Sequence, residues 1–235
     1  QYKKICKLFI KNITKDSSKF TLNLKNNKLP IISFLSPDIR NHPVGFFIKD
    51  MLPELSKQFK VIIFNTSEFE DEISLYTKKF CRWINLKTKN DYEIADIIYK
   101  KNVDVLIDSS GLTRTNNLGV FKLRPSNNQV SWAGWLASTN LKEMDYVISD
   151  NFCTRKKDEK FFTEKILRMK NIWCTYSLSV LENLNLKKEN NSEPFIIYGC
   201  FQRPEKITKK VLSTWMNILI RVKKSKIFFI NQSFN

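Results

Sequence analysis

The sequence predicts an α/β fold with a mainly parallel sheet, followed by the opening part of a second α/β domain. Three observations lead to this prediction. Apolar runs of strand length alternate with longer segments whose apolar residues recur at helical spacing. The run at 103–110, VDVLIDSS, is almost continuously apolar, as in strands that a parallel sheet buries on both faces. After a polar stretch at 182–193 the alternation begins again.

In the first domain predicted strands alternate with predicted helices, an order that indicates a parallel α/β sheet. Most of the strands are short and rich in β-branched residues, and the helices carry an apolar stripe. The predicted strands are IISFL (31–35), FKVIIFN (59–65), VDVLIDSS (103–110), NQVSWAGW (128–135), DYVISD (145–150) and EKILRM (164–169), and the predicted helices are PVGFFIKDMLPELSKQF (43–59), EISLYTKKF (72–80) and DYEIADIIYKK (91–101).

A second alternation follows the polar stretch. PFIIYGCF (194–201) predicts a strand, ITKKVLSTWMNILIRV (207–222) an amphipathic helix and KIFFIN (226–231) a second strand. One such unit cannot bury its own sheet, so we expect a second domain that is cut short here. The predicted organisation is a helical segment and connector at 1–28, a first domain at 29–181, a linker at 182–193 and the beginning of a second domain at 194–235.

Composition excludes several classes of protein. The net charge of +17 would suit nucleic acid, but the lysines are spread along the whole chain and no nucleic-acid-binding motif accompanies them. We therefore expect no specific nucleic-acid partner. No apolar run approaches the length of a membrane-spanning helix, so we expect no membrane partner. Five scattered cysteines without a CxxC pair, with a single histidine, predict reduced thiols, no zinc site and a cytoplasmic protein.

The single histidine, His42, stands between a predicted strand and a predicted helix, in SFLSPDIRNHPVGFF. Asn41 or His42 would be the N-cap residue and Pro43 the first helical position, where its missing N–H costs nothing. Ligands bind at the carboxyl ends of strands in open α/β sheets, which is where His42 would lie. The alternative interpretation is a histidine that only caps its helix.

Four segments, in one order, form a pattern: SPDIRNHPVGFF (36–47), DSSGLTRTNNLGVFKLRP (108–125), QVSWAGWLASTNLKEMDYVISD (129–150) and FQRPEKITKKVLSTWMNIL (201–219). Through them the chain resembles the catalytic region of the O-linked N-acetylglucosamine transferase and SPINDLY family, over roughly residues 30 to 230. FTEKILRM (162–169) also resembles a segment of that family.

The resemblance implies the first half of a GT-B fold, which consists of two Rossmann-like domains facing each other across a cleft, and the truncated start of the second. It implies an inverting transfer of a sugar from a nucleotide sugar such as a UDP-sugar to Ser or Thr hydroxyls of a protein or peptide acceptor. Members of the family use N-acetylglucosamine, glucose or fucose, and we expect N-acetylglucosamine. No metal and no further cofactor are implied. Tetratricopeptide repeats precede the catalytic region in such proteins, so we expect them in the full-length chain.

Individual residues carry roles by the same resemblance. His42 matches a histidine proposed as base or orienting group, and a neutral imidazole at a helix N-terminus suits a base. Lys206 matches a lysine that neutralises the diphosphate leaving group, and Gln202 and Arg203 of the same segment are assigned to the donor site. Arg124 matches an arginine of the family, although an arginine that closes a helix is often structural.

The loop at 134–140 departs from the family pattern. It reads Gly-Trp-Leu-Ala-Ser-Thr-Asn where the family usually has Gly-Tyr-Pro-Gly-Thr-Thr/Ser-Gly, so two glycines and the proline are replaced. Added Cβ atoms there could obstruct a ligand. Glu205 also stands beside the predicted diphosphate site, where an acidic group is unfavourable. A degenerate, non-catalytic GT-B-like binding module is therefore the alternative to the enzyme, and a nucleic-acid-binding domain is a third.

Overall fold

The computed structural model describes Phe20, residues 29–177 and residues 195–231. The predicted helical segment and connector at 1–28, apart from Phe20, and the predicted linker at 182–193 lie outside the described residues. The chain divides into two compact units, residues 1–184 and residues 185–235, which are described separately.

The first unit contains a seven-stranded sheet in which every neighbouring pair of strands is parallel. The strand order is β3-β2-β1-β4-β5-β6-β7, which includes the order of a Rossmann fold and confirms the predicted fold class. The strands are β1 (Ile31–Ser36), β2 (Lys60–Asn65), β3 (Arg82–Asn85), β4 (Val105–Asp108), β5 (Asn128–Ser131), β6 (Tyr146–Ser149) and β7 (Lys165–Arg168), and the helices are α1 (Pro43–Lys49), α2 (Leu52–Gln58), α3 (Glu72–Thr77), α4 (Asp91–Lys100) and α5 (Leu118–Lys122).

Two buried clusters lie on the two faces of this sheet. Successive side chains of a strand point to opposite faces, so Leu35 and Phe34 of β1 belong to different clusters. Helices α4 and α5 cover the cluster of Leu35, and helices α1 and α2 cover that of Phe34. Burial on both faces explains why the central strands are almost continuously apolar.

The structure differs from the sequence prediction at two elements. The helix predicted over 43–59 is two helices, α1 and α2, separated at Asp50 and Met51. Pro53 lies in the first turn of α2, where a proline begins a helix more readily than it continues one. The edge strand β3 was not predicted, because its side chains are only half-buried or exposed and its sequence carries little apolar signal.

The second unit is one parallel β-α-β unit: β8 (Ile196–Cys200), α6 (Lys209–Arg221) and β9 (Ser225–Phe229). Trp215 of α6 packs on Phe229, with ring centroids 5.9 Å apart. Cys200 is the one buried apolar residue among the described residues of this unit, and Ile218 is 38% exposed. An apolar cavity of about 200 Å³ remains between helix and sheet. Trp215 is only half-buried, so the apolar face of α6 is incompletely covered among the described residues.

Strands β1 and β4 are neighbours, but their connections lead to opposite sides of the sheet, to β2 and to β5. Such a position is the topological switch point, where open α/β sheets leave a crevice at the carboxyl ends of the strands. The loops that follow β1 and β4 therefore border this crevice. No helix in the described part of the chain is long and apolar enough to cross a membrane.

Candidate functional site

His42 lies at the switch point, at the end of the loop that connects β1 to α1. Its backbone is extended and it is the N-cap residue of α1, with Pro43 at the first helical position, as the sequence predicted. The ring atom Nδ1 accepts a hydrogen bond from the Val44 backbone N–H at 3.3 Å. The His42 carbonyl accepts the first helical bond, from Phe46 N at 3.1 Å.

This hydrogen bond determines which nitrogen carries the proton. An imidazole nitrogen that accepts a hydrogen bond has no hydrogen, so the neutral ring of His42 carries its proton on Nε2. Within the described residues Nε2 has no partner of its own, and the residue is half-buried. The His42 side chain is thus both a helix cap and an available N–H donor.

The pKa of His42 lies below its ordinary value, chiefly because burial disfavours the charged ring. Arg40 lowers the pKa further, while Asp38 raises it. His42 is therefore neutral near pH 7, which preserves the acceptor at Nδ1 and the donor at Nε2.

The loop that carries His42 is held from α3 and by a close backbone approach. Ser74 Oγ donates to the Ile39 carbonyl at 3.0 Å, and Asp71, the N-cap of α3, accepts from the Asn41 backbone N–H. Gly45 allows α1 to fold back on the loop, because a Cβ atom there would lie 1.9 Å from the Arg40 carbonyl oxygen. Sequence analysis did not find Asp71 or Ser74, whose contact with this loop spans about 30 residues.

The second loop at the switch point begins with Asp108 at the end of β4. The buried Asp108 carboxylate accepts from Ser110 N at 3.0 Å and from Gly111 N at 2.9 Å, which turns the chain sharply out of the strand. Burial raises the pKa of Asp108 to about 6, against the opposing effect of these two hydrogen bonds.

The same loop contains an unusual number of buried polar atoms that have no hydrogen-bond partner. Among the described residues, five buried side-chain polar atoms have no hydrogen-bond partner, and four of them belong to this one segment: Ser109 Oγ, Ser110 Oγ, Thr113 Oγ1 and Asn117 Nδ2. A buried polar atom without a partner costs about 1–3 kcal/mol, so this loop at the switch point carries an unusual cost in stability. The sequence signal was the polar run directly after a buried strand.

The loop at 134–140 packs directly on this segment. Gly111 has φ +56°, and a Cβ atom there would lie 2.5 Å from Trp135 Cβ. Asn140, which replaces a glycine of the family pattern, has φ +57°, a left-handed conformation that asparagine adopts more readily than most residues. Leu136 and Ala137 have no positive φ. The substitutions are therefore compatible with the backbone of the loop, and Trp135 is 49% exposed.

Lys206, Gln202 and Arg203 belong to the second unit, between β8 and α6. All three are exposed, and Lys206 ends a short 3-10 helix, Pro204–Lys206. Thr208 follows as the N-cap of α6, with its hydroxyl accepting from Val211 N at 3.3 Å. The structure brings these three residues together on one segment that leads into a helix N-terminus, whereas His42 belongs to the first unit.

Arg124 is structural. Its guanidinium donates to the Glu143 and Asn127 carbonyls and to the Asp145 carboxylate, the last at 2.9 Å. Its backbone has φ +54°, so the side chain stabilises a tight turn after α5. The conformation of Arg124 explains the Arg-Pro pair without a role in binding substrate.

Comparisons with known proteins agree with this architecture. A sequence model of the family described as glycosyl transferase family 41 matches residues 1–187. The probable UDP-N-acetylglucosamine–peptide N-acetylglucosaminyltransferase SPINDLY of Arabidopsis thaliana is 29% identical over 215 residues, which are 87% of this chain and 23% of that protein. The UDP-N-acetylglucosamine–peptide N-acetylglucosaminyltransferase of Caenorhabditis elegans is 23% identical over 63% of this chain and 13% of its own.

A solved structure is also similar. A mutant of the O-GlcNAc transferase of Thermobaculum terrenum superposes with a TM-score of 0.81 and 19% identity, over 96% of this chain and 44% of that chain. At this identity the likeness shows the fold alone. The chain thus spans less than a quarter of the length of the Arabidopsis relative and less than half of the solved structure.

Proposed function

Because the chain belongs to glycosyl transferase family 41, we propose that it is part of the catalytic region of an inverting glycosyltransferase. The reaction is transfer of N-acetylglucosamine from a UDP-sugar to Ser or Thr hydroxyls of a protein acceptor. The activities for which the relatives in Arabidopsis and Caenorhabditis are named support this donor and this class of acceptor.

One observation carries the proposal. At the switch point an available N–H donor, His42 Nε2, and four unpartnered polar atoms of the segment 109–117 lie on the loops of two neighbouring strands. Sugars and peptide hydroxyls are ligands rich in hydrogen-bonding groups, and polar atoms without partners in the chain suit such ligands. An apolar ligand would leave these atoms unsatisfied.

His42 acts in this proposal as an orienting donor. The Nε2–H group hydrogen-bonds an oxygen of the bound sugar or acceptor, while Nδ1 remains engaged with Val44 N. Removal of a proton by Nε2 would require the hydrogen to lie on Nδ1, and the helix cap would then be lost. Positioning of an acceptor oxygen contributes to rate through orientation and does not require a change of charge on the ring.

Lys206 supplies positive charge to the diphosphate leaving group in this proposal, with Gln202 and Arg203 as further donor-binding residues. Charge on the diphosphate grows as the sugar bond breaks, so an ammonium group there stabilises the transition state more than the ground state, without a metal. Tetratricopeptide repeats ahead of this region, which rest on the resemblance, and a cytoplasmic location, which rests on the scattered cysteines, complete the proposal.

The test separates the two functions of the His42 ring in the intact protein. Asparagine is a good N-cap residue but has no Nε2, whereas alanine is neither cap nor donor. We expect His42→Asn and His42→Ala both to lower turnover of UDP-N-acetylglucosamine with a protein acceptor by about two to three powers of ten, the usual cost of removing one positioned hydrogen-bond donor. Only His42→Ala should also lower the free energy of unfolding, by about 1 kcal/mol.

The matched control is Asn90→Ala, which removes the N-cap of α4. This helix lies on the opposite face of the sheet from α1. It should lower stability as His42→Ala does and leave turnover unchanged. Full turnover in His42→Asn would exclude the orienting role. Binding of UDP-N-acetylglucosamine without any turnover in the unaltered protein would favour the non-catalytic module.

A further inference from the structure

A buried carboxylate, that of Glu164, holds the loop 134–140 from outside the switch point. Glu164 is 6% exposed and lies directly before β7. Its Oε1 accepts from the Thr139 backbone N–H at 2.6 Å and from the Thr139 hydroxyl, and its Oε2 accepts from Ser138 Oγ at 2.8 Å. One side chain therefore accepts hydrogen bonds from two consecutive residues of a loop that lies about 25 residues earlier in the chain.

Neutral donors alone surround this carboxylate among the described residues. Besides the loop donors, the backbone N–H and the hydroxyl of Thr163 both donate to Oε2 at 3.1 Å. No ion pair of the described residues includes Glu164. A buried charge is costly unless hydrogen bonds offset its lost hydration. The carboxylate of Glu164 therefore holds these donors in place around its two oxygens.

The two hydroxyls that Glu164 orients also fix the exit of the loop. Ser138 Oγ accepts from Asn140 N at 3.1 Å, and Thr139 Oγ1 accepts from Leu141 N at 3.3 Å. These bonds hold the chain where Asn140 takes its left-handed conformation. The loop thus has a substitute for the conformational restriction that the proline of the family pattern would give.

The other end of the loop lies at the switch point. A Cβ atom on Gly134 would approach the Ser109 and Ser110 carbonyl carbons within 2.5 Å, and Trp135 packs on Gly111. The loop therefore runs from the segment with the unpartnered polar atoms to the Glu164 carboxylate. Ser138 and Thr139 are only three and four residues from Trp135 in the chain.

We propose that Glu164 is a positioning residue for the transfer reaction, whose carboxylate fixes the loop 134–140 so that Gly134 and Trp135 keep their places at the switch point. This inference rests on the proposed function for its kinetic consequence. Its structural part, the dependence of Trp135 on Glu164, stands independently of any activity.

The experiment compares Glu164→Ala and Glu164→Gln in the intact protein. Alanine removes both acceptor oxygens. Glutamine keeps one oxygen for Thr139 N–H, and its amide can donate to the Ser138 and Thr163 hydroxyls, which rotate to accept. The control for a loss of stability alone is Ser126→Ala. This variant removes a buried hydrogen bond to the Val103 carbonyl, away from the loop.

Two readouts decide the matter. With 5-fluorotryptophan incorporated and the Trp135 resonance assigned by Trp135→Phe, we expect Glu164→Ala to shift or broaden the Trp135 fluorine signal and to leave that of Trp83 on β3 unchanged. In steady-state kinetics kcat/KM for UDP-N-acetylglucosamine should fall about 100-fold, the effect of misplacing a group near the chemistry by about 1 Å. Glu164→Gln should restore part of both, and Ser126→Ala should change neither.

An unchanged Trp135 signal in Glu164→Ala, or a changed signal with unchanged kcat/KM, would overturn the proposal. If Glu164→Ala fails to fold, Glu164→Gln is compared with Ser126→Ala instead. The Trp135 fluorine signal and kcat/KM should then change in Glu164→Gln and not in Ser126→Ala. A complete lack of transfer by the unaltered protein would count against the proposed function, while the fluorine signal would still test the link from Glu164 to Trp135.

Discussion

Gly134 lies against the backbone of Ser109 so closely that a Cβ atom on residue 134 would come within 2.5 Å of the Ser109 carbonyl carbon and oxygen. The contact joins the loops that follow β4 and β5 at the carboxyl edge of the sheet. Backbone atoms cannot move aside as a side chain can, so this pair fixes the spacing of the two loops.

Gly134→Ala should therefore lower the free energy of unfolding by about 1–3 kcal/mol, the usual cost of an added group in a close-packed place. Gly199→Ala is the control, because a Cβ atom there meets only the ring of Phe201, at 3.1 Å. Urea unfolding of the two variants measures the difference. Equal stability of Gly134→Ala and the unaltered protein would contradict the close contact.

Asp108 should make stability fall as the pH rises. Its folded pKa of about 6 lies above the value of an unfolded aspartate, so between about pH 4 and pH 6 the folded state holds a proton that the unfolded state has lost. The contribution amounts to at most about 3 kcal/mol. In Asp108→Asn this part of the pH dependence should vanish, whereas Asp96→Asn, at a side chain that is 36% exposed, should retain it. Urea unfolding at pH 4, 5, 6 and 7 gives the answer, and parallel profiles for the unaltered protein and Asp108→Asn would refute the assignment.

The His42 ring should titrate below its ordinary pKa and carry its neutral proton on Nε2. Because the folded pKa is depressed, the ring contributes stability above about pH 6.5 that is lost as the pH falls through the folded pKa. Long-range proton–nitrogen spectra distinguish the two ring nitrogens, and His42→Asn assigns the signals. A protonated nitrogen at Nδ1 near pH 7 would disprove the hydrogen bond from Val44.

The second unit should not fold by itself. A two-stranded parallel sheet with one helix leaves a face and both edges uncovered, and Cys200 is the single buried apolar residue described there. A peptide of residues 185–235 should give the circular dichroism of an unfolded chain at 25 °C, with no cooperative melting. A cooperative transition in that peptide would show that α6 and its strands suffice.

Local patterns in the sequence predicted most of the strands and helices. Continuous apolar runs predicted the central strands β1, β2 and β4, since burial on both faces leaves no polar positions. The order Asn41-His42-Pro43 predicted the start of α1, because capping and the geometry of proline act within a few residues. Both signals are local, so a single sequence contains them. The roles of Lys206, Gln202 and Arg203 rest on family resemblance and stay predictions.

The contacts between remote segments of the chain could be read only from the tertiary structure. Glu164 reaches Thr139 across 25 residues, and Ser74 reaches Ile39 across 35. The pairing of β1 with β4 places the loop of His42 beside the segment with unpartnered hydroxyls, although about 70 residues separate them in the chain. The tautomer of His42 follows from a hydrogen bond that composition does not reveal. Such contacts depend on distances between remote segments, which are fixed by the packing of the whole sheet and not by the period of any one element.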